Sequence, residues 1–95
     1  MADGLATVFL SGRFDFSAQR NFSNCLDSQM ANPAVKEIRI DFAHVEYLDS
    51  SALGMLLLAK ERMENERKKI SLTNCSGGVK RILDIANFDR LFAIS

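Results

Sequence analysis

Asp49, Ser50 and Ser51 are the residues of this sequence best placed to do chemistry. An apolar segment ends just before them at Leu48, and apolar residues at helical spacing begin just after them at Ala52. Asp49 is therefore expected to be a helix N-cap, its carboxylate accepting a hydrogen bond from the backbone N–H of Ser51 or Ala52. Ser50 and Ser51 then occupy the first two helical positions. Free N–H groups and the positive end of the helix dipole favour an anion there. A phosphoserine, carrying roughly −1.5 to −2 charges, is tolerable at such a place. Three readings compete: a plain cap, a nucleophilic serine, and a phosphorylation site at Ser51 with Ser50 as second choice. The nucleophile lacks both the Gly-x-Ser-x-Gly elbow and a base with its orienting acid.

The other reactive residues are isolated. His44 has the right chemistry for a base, but nothing positions a nucleophile for it, and a loop histidine making a local hydrogen bond accounts for it. Cys25 and Cys75 lie far apart in a chain without secretory marks, so reduced thiols are expected rather than a disulfide. Neither has a ligand at metal-binding spacing, and no metal is expected. Gly77-Gly78 lacks the spacing and the lysine of a P-loop and reads as a turn.

Bulk properties narrow the field further. Ninety-five residues make one domain, 1–95, and 12 basic against 12 acidic residues leave no net charge. A nucleic-acid footprint needs a clustered basic excess, so no nucleic acid is expected. The longest apolar run, 53–59, is far too short to span a bilayer, and no signal peptide is visible. A cytoplasmic protein without direct membrane contact follows as the expectation.

The elements that must position the Asp-Ser-Ser corner can be read in order. Residues 5–10 form an apolar strand closed by Ser11-Gly12. A helix capped by Asp15 or Ser17 carries Ala18, Phe22, Cys25, Leu26 and Met30 on one side, and Asn32-Pro33 ends it. Ile38, Ile40 and Phe42 alternate with Glu37, Arg39 and Asp41, the pattern of a strand with one buried face. The helix after Asp49 runs to about Arg67, burying Ala52, Met55, Leu56, Ala59 and Met63, with Leu53 and Leu57 widening the stripe. Glu64 and Lys68 have the favourable i, i+4 order for an ion pair. A short strand at 70–73 precedes a loop in which Ser76 or one of the glycines opens a helix marked by Val79, Ile82, Leu83 and Ala86. Residues 91–94 look like a closing strand. Such alternation implies βαβ crossovers and neighbouring parallel strands.

From Ile38 through Met55-Leu56 the chain resembles the signature of STAS domains, the family of bacterial anti-sigma factor antagonists: an apolar strand, a short linker, then Asp-Ser-Ser-Gly-Leu-Gly opening a helix. Ser11-Gly12-Arg13-Phe14-Asp15 is similar to the family's Gly-x-(Leu/Phe)-Asp. Val79 to Asp84, followed by Phe88 and Leu91-Phe92, is similar to its later helix and closing strand. The resemblance implies an α/β fold with a mixed four- to five-stranded sheet and helices packed on one face. It also implies partner switching. The unphosphorylated antagonist binds an anti-sigma factor that is often a serine kinase with a histidine-kinase-like ATP site. Phosphorylation of the second serine, here Ser51, expels it, and a metal-dependent serine phosphatase resets it. Asp49 would cap the helix and shape the site. Partner contacts are expected at Arg13, Phe14, Asp15, His44, Glu46, Ser50, Ala52, Leu53 and Met55.

Three departures stand out. Ala52 replaces the family's usual Gly, Gly77-Gly78 stands where many members carry Ser-Pro, and the chain stops at Ser95 without the C-terminal helix that many add. The last points to a minimal or shortened member. A second function, from another class, is a constitutive docking subunit such as those serving lipid transporters, in which Ser51 is never modified. An enzyme using Ser51 or Cys75 is the weakest reading, and no cofactor or nucleotide is expected.

Overall fold

Ile38, Ile40 and Phe42 are almost fully buried, while the residues between them face the other way. This strand is the spine of the computed structural model, which describes residues 4–95. In chain order the elements are β1 (Leu5–Phe14), α1 (Gln19–Met30), β2 (Glu37–Leu48), α2 (Ser50–Asn65), β3 (Lys69–Thr73), α3 (Gly77–Ile85) and β4 (Ala93–Ile94). Single 3-10 turns at Phe16–Ala18 and Phe88–Arg90 lead into α1 and out of α3. The sheet has four strands in the order β1-β2-β3-β4, and all three ladders are parallel.

The α/β architecture agrees with the reading of the sequence, but the sheet is not mixed among the described residues. Every connection contains a helix, so no hairpin reverses the strand direction. Because each crossover steps the same way and such crossovers are right-handed, all three helices fall on one face of the sheet. The register makes the two faces explicit. Val8, Ile40, Leu72 and Ile94 form one apolar row across the sheet beneath the helices. Thr7, Arg39, Ser71 and Ala93 form the next row, on the open face, where Ser71 Oγ donates to Glu37 Oε2 at 2.9 Å. Burial of each large aliphatic side chain of the core contributes about 1.5–3 kcal/mol.

Both long strands exceed expectation. β1 runs on through Phe14 and β2 through Leu48, paired up to Phe14 opposite Leu48. Two register shifts, between Phe9 and Ser11 and between Gly12 and Arg13, interrupt this extended ladder. Gly12, at φ +69°, is part of that irregularity and not the end of the strand. His44 consequently lies in a strand, opposite Ser11, and not in a loop.

The helices largely follow the apolar spacing. Asp15 caps the turn before α1, accepting from the backbone N–H of Ser17 at 3.0 Å and from its hydroxyl. Ser76 holds the N-cap position of α3 without a side-chain cap bond. At the end of α3, Phe88 stacks on Phe92 with ring centroids 5.3 Å apart, and the closing strand is reduced to Ala93–Ile94.

α2 ends at Asn65 in a Schellman motif. The Lys68 N–H donates to Met63 O at 2.8 Å and the Arg67 N–H to Glu64 O at 3.0 Å, with Arg67 at φ +58°. This geometry overturns the Glu64–Lys68 pair. Lys68 lies past the left-handed residue and donates to Val35 O at 2.6 Å and Asn32 O at 3.2 Å, while Glu64 pairs with Lys60 at 2.9 Å. A left-handed conformation costs an L residue with a Cβ about 1–2 kcal/mol. After the larger unfolded-state entropy of glycine is subtracted, Arg67→Gly is expected to stabilise the domain by about 0.5–1 kcal/mol in urea unfolding.

Candidate functional site

At the end of β2, Leu48 is buried and anchors the chain, and Asp49 turns it with an extended backbone, φ −117° and ψ −176°. Its Oδ1 accepts from the Ala52 N–H at 2.9 Å, the second of the two partners expected for it. The Asp49 carbonyl accepts from the Leu53 N–H at 3.2 Å, the first bond of α2. Ser50 is then exposed at the first helical position and Ser51 half-buried at the second. The N–H groups of these positions precede the helical ladder and have no carbonyl within it to meet. Beyond the Asp49 cap, whose carboxylate already accepts from the Ala52 N–H, no acidic residue lies in the first turn of α2. A Cβ built on Gly54, one turn on, would meet nothing within 4 Å, so the surface beside the serines is open.

The β1–β2 register brings a second group to this corner. Arg13 is paired with Tyr47, and its guanidinium lies 4.2 Å from the centre of the Tyr47 ring. Arg13 Nε also sits 3.4 Å from Asp15 Oδ2. The Ser17 hydroxyl bonded to Asp15 holds that carboxyl below the usual carboxylate range, with Arg13 adding to the effect. His44 and Glu46 are exposed farther back on β2, and Leu53 is half-buried on α2.

Three residues expected at a partner surface belong to the core instead. Phe14 is 1% exposed and packs edge-on against Phe22 and Phe42, with centroids 5.1 and 6.2 Å away. Ala52 is 0% exposed and Met55 8%. Strand alternation sends Phe14 inward between outward Arg13 and Asp15, and helical period sends Ala52 and Met55 toward the sheet. Conversely, Tyr47 and Phe16, outside the expected contact set, are exposed at this corner. Alternation continued from Phe42 to Leu48 would not place them, because the β1–β2 register shifts twice before Arg13 meets Tyr47.

Nucleophilic chemistry finds no support here. Burial pushes the Cys75 thiol up to about 11, so little thiolate forms near neutral pH. Cys25 and Cys75 are both free thiols. Among the described residues, no group of three or more His, Cys, Asp or Glu side chains is arranged to hold a metal, and no helix is long and apolar enough to cross a membrane.

The family profile described as Mlab, STAS domain matches residues 1–93. A STAS-domain containing protein of Pseudomonas aeruginosa (strain UCBPP-PA14) is 44% identical over 95 residues, covering 99% of this chain and 92% of that protein. The chain belongs to the STAS-domain family. Solved STAS-type structures repeat its fold at low identity. A putative anti-sigma factor antagonist from Thermotoga maritima superposes with a TM-score of 0.86 at 18% identity, covering 99% of this chain and 80% of that one. The phosphorylated form of the Bacillus cell fate determinant SpoIIAA gives 0.73 at 18%, covering 100% and 86%. A sulfate transporter family protein from Wolinella succinogenes gives 0.79 at 18%, covering 95% and 72%. The fold is thus shared by antagonists and by transporter proteins, and the corner at Asp49 must be judged on its own residues.

Two outcomes test this STAS site. Asp49→Ala is expected to lower stability by about 1 kcal/mol in urea unfolding, while Asp49→Asn keeps most of the cap. Because the Cys75 thiol ionises at 9.0 when unperturbed and at about 11 in the fold, its contribution to stability is complete below pH 9.0 and lost as pH rises toward 11. Urea titrations of wild type and Cys75→Ser at about pH 8 and about pH 10.5 should show the larger fall in wild type.

Proposed function

We propose that this STAS domain is a cytoplasmic, non-enzymatic anti-sigma factor antagonist that works by partner switching. Unmodified, it binds an anti-sigma factor that is also a serine kinase with a histidine-kinase-like ATP site. The kinase transfers phosphate to Ser51, the modified domain dissociates, and a metal-dependent serine phosphatase restores it. The observation that carries this reading is Ser51 itself: a hydroxyl at the second position of an Asp-capped helix whose first turn holds no further acidic residue. A related fold solved in a phosphorylated form adds support for phosphate on this scaffold.

The energetics suit a switch. At the N-terminus of α2 the added charge interacts favourably with the helix dipole, so the fold tolerates it. Within a packed contact the same charge must be desolvated, at a cost of several kcal/mol if unpaired. A penalty of ~4 kcal/mol weakens binding about a thousandfold. The corner around Arg13, Asp15, Tyr47 and Ser50, with Leu53 behind it, supplies the contact, and exposed His44 and Glu46 extend it along β2. Constitutive docking, the second function, draws on the transporter-type fold neighbour but leaves the Ser51 hydroxyl without a role.

Ser51→Asp is expected to remain folded by circular dichroism yet bind the partner kinase about a thousandfold more weakly. Ser51→Ala should bind like wild type and resist release by ATP. Site mapping on protein from its native cell should find phosphate on Ser51 in amounts that vary with growth and stress. Undiminished binding by Ser51→Asp, with Ser51 never modified, sinks the switch and leaves the constitutive docking subunit. Phosphate found on Ser50 would move the switch by one position.

A further inference from the structure

β1 is an outer strand of the sheet, with one edge on β2 and the other free. The Gly4 carbonyl accepts from the N–H groups of Lys36 and Glu37 at 2.7 and 3.1 Å, so it points toward β2. Backbone groups of successive strand residues point to opposite sides. Those of Leu5, Thr7, Phe9 and Ser11 therefore point away from β2 and, among the described residues, meet no other strand. The first register shift leaves this stretch regular, because its extra residue lies in β2: two steps from Phe9 to Ser11 lie opposite three from Asp41 to His44.

Such an edge is usually blocked by charge or by proline. From Leu5 to Gly12 it carries neither. Phe9, at its centre, is 72% exposed on the open face of the sheet. Thr7 and Ser11 flank it along the strand, and Asp41 is its ladder partner, so its neighbours on that face are polar. Apolar cover for the ring has to come from beyond the free edge. On the other face a groove of about 340 Å³ lies between β1 and α1, reaching Ala18, Phe22 and Cys25, and no charged residue lines it.

We propose that β1 pairs antiparallel with β1 of a second copy of this chain, about a two-fold axis through Phe9 and normal to the sheet. That axis sets Phe9 against its own counterpart and Thr7 against Ser11, each pair exchanging both backbone hydrogen bonds. Val8 meets Leu10 on the helix side, where the groove gives their side chains room. Aromatic thus meets aromatic, hydroxyl meets hydroxyl, and no charges oppose each other, the self-match that an isologous contact requires. This match selects a second copy over an extended segment of another protein. The opposite edge, β4, offers only Ala93–Ile94, so the contact cannot repeat there and assembly closes as a dimer. Because the two β1 strands run in opposite directions, the two Asp49 corners face opposite ends of the joined sheet. Both stay open, and dimerisation is independent of the Ser51 switch.

Sedimentation of the full chain tests this. Wild type should show a monomer–dimer equilibrium with a Kd of about 10–100 μM, as befits a contact confined to one strand edge. Phe9→Lys and Phe9→Glu each set like charges opposite one another and should weaken association by about tenfold or more. An equimolar mixture of the two variants should associate again, because opposite charges then meet at the axis. Ser51→Asp and Ile85→Lys, the latter at a 75% exposed apolar residue of α3, should stay within about twofold of wild type. Circular dichroism confirms that each variant is folded. A wild type that remains monomeric at about 500 μM overturns the proposal. So does a dimer that survives Phe9→Lys or is abolished by Ile85→Lys. Failure of the mixed variants to associate overturns the axis through Phe9. A monomeric wild type whose binding to a kinase is lost in Phe9→Lys also overturns it and gives the edge to a strand of that partner.

Discussion

The hydrogen bond from the Ala52 N–H to the Asp49 carboxylate fixes the corner on which the functional surface depends. It sets where strand geometry stops and helical geometry starts, and so which serine is exposed and which is half-buried. Had the helix begun one residue later, the stripe of Ala52, Met55, Leu56, Ala59 and Met63 would rotate by about 100° away from the sheet. The cap and the core thus enforce the same phase. Leu48 on one side and Ala52 on the other, both buried, leave the residues between them little freedom to slip.

A one-sided sheet frames this corner. The helices cover the row of Val8, Ile40, Leu72 and Ile94, while the opposite face remains wet, with Phe9 72% exposed among polar neighbours. All crossovers end at the same edge of the sheet, so the chain's turns after β1 and β2 converge there. Arg13 over Tyr47, the Asp15 turn and the start of α2 are gathered by that convergence and by the extended β1–β2 ladder. Polar function collects on one rim because the backbone direction repeats in every strand.

Much of this was legible in the residues, where a single period persisted. The alternation of Ile38, Ile40 and Phe42 marked β2, and the helical spacing from Ala52 to Met63 marked α2 with its buried face. The Asp49 cap was legible because an acidic residue stood between two differently spaced apolar runs. Legibility failed where the period was broken or a signal was absent. The register shifts opposite Gly12 break the alternation of β2 after Phe42, so residues 43–46 carry no strand period although the strand stays paired. Phe14, flanked by charged Arg13 and Asp15, was read with its neighbours as surface although alternation sends it inward. Arg67 gave no warning of a left-handed stop, since glycine is the usual marker, and the Glu64–Lys68 pair was lost with it. The mixed sheet came from family resemblance, whereas the local sequence of strand and helix in alternation implied parallel ladders.

The order of the strands in the sheet is also their order in the chain. Each ladder joins a strand only to the one delivered immediately before or after it, with one helix between them. A chain emerging from the ribosome can therefore close β1 on β2 around α1 before the residues of β3 exist. Later units add at a single growing edge, and no earlier pair must open to admit them. The corner at Asp49 emerges only after both long strands have been made, so α2 can be laid onto a platform already paired.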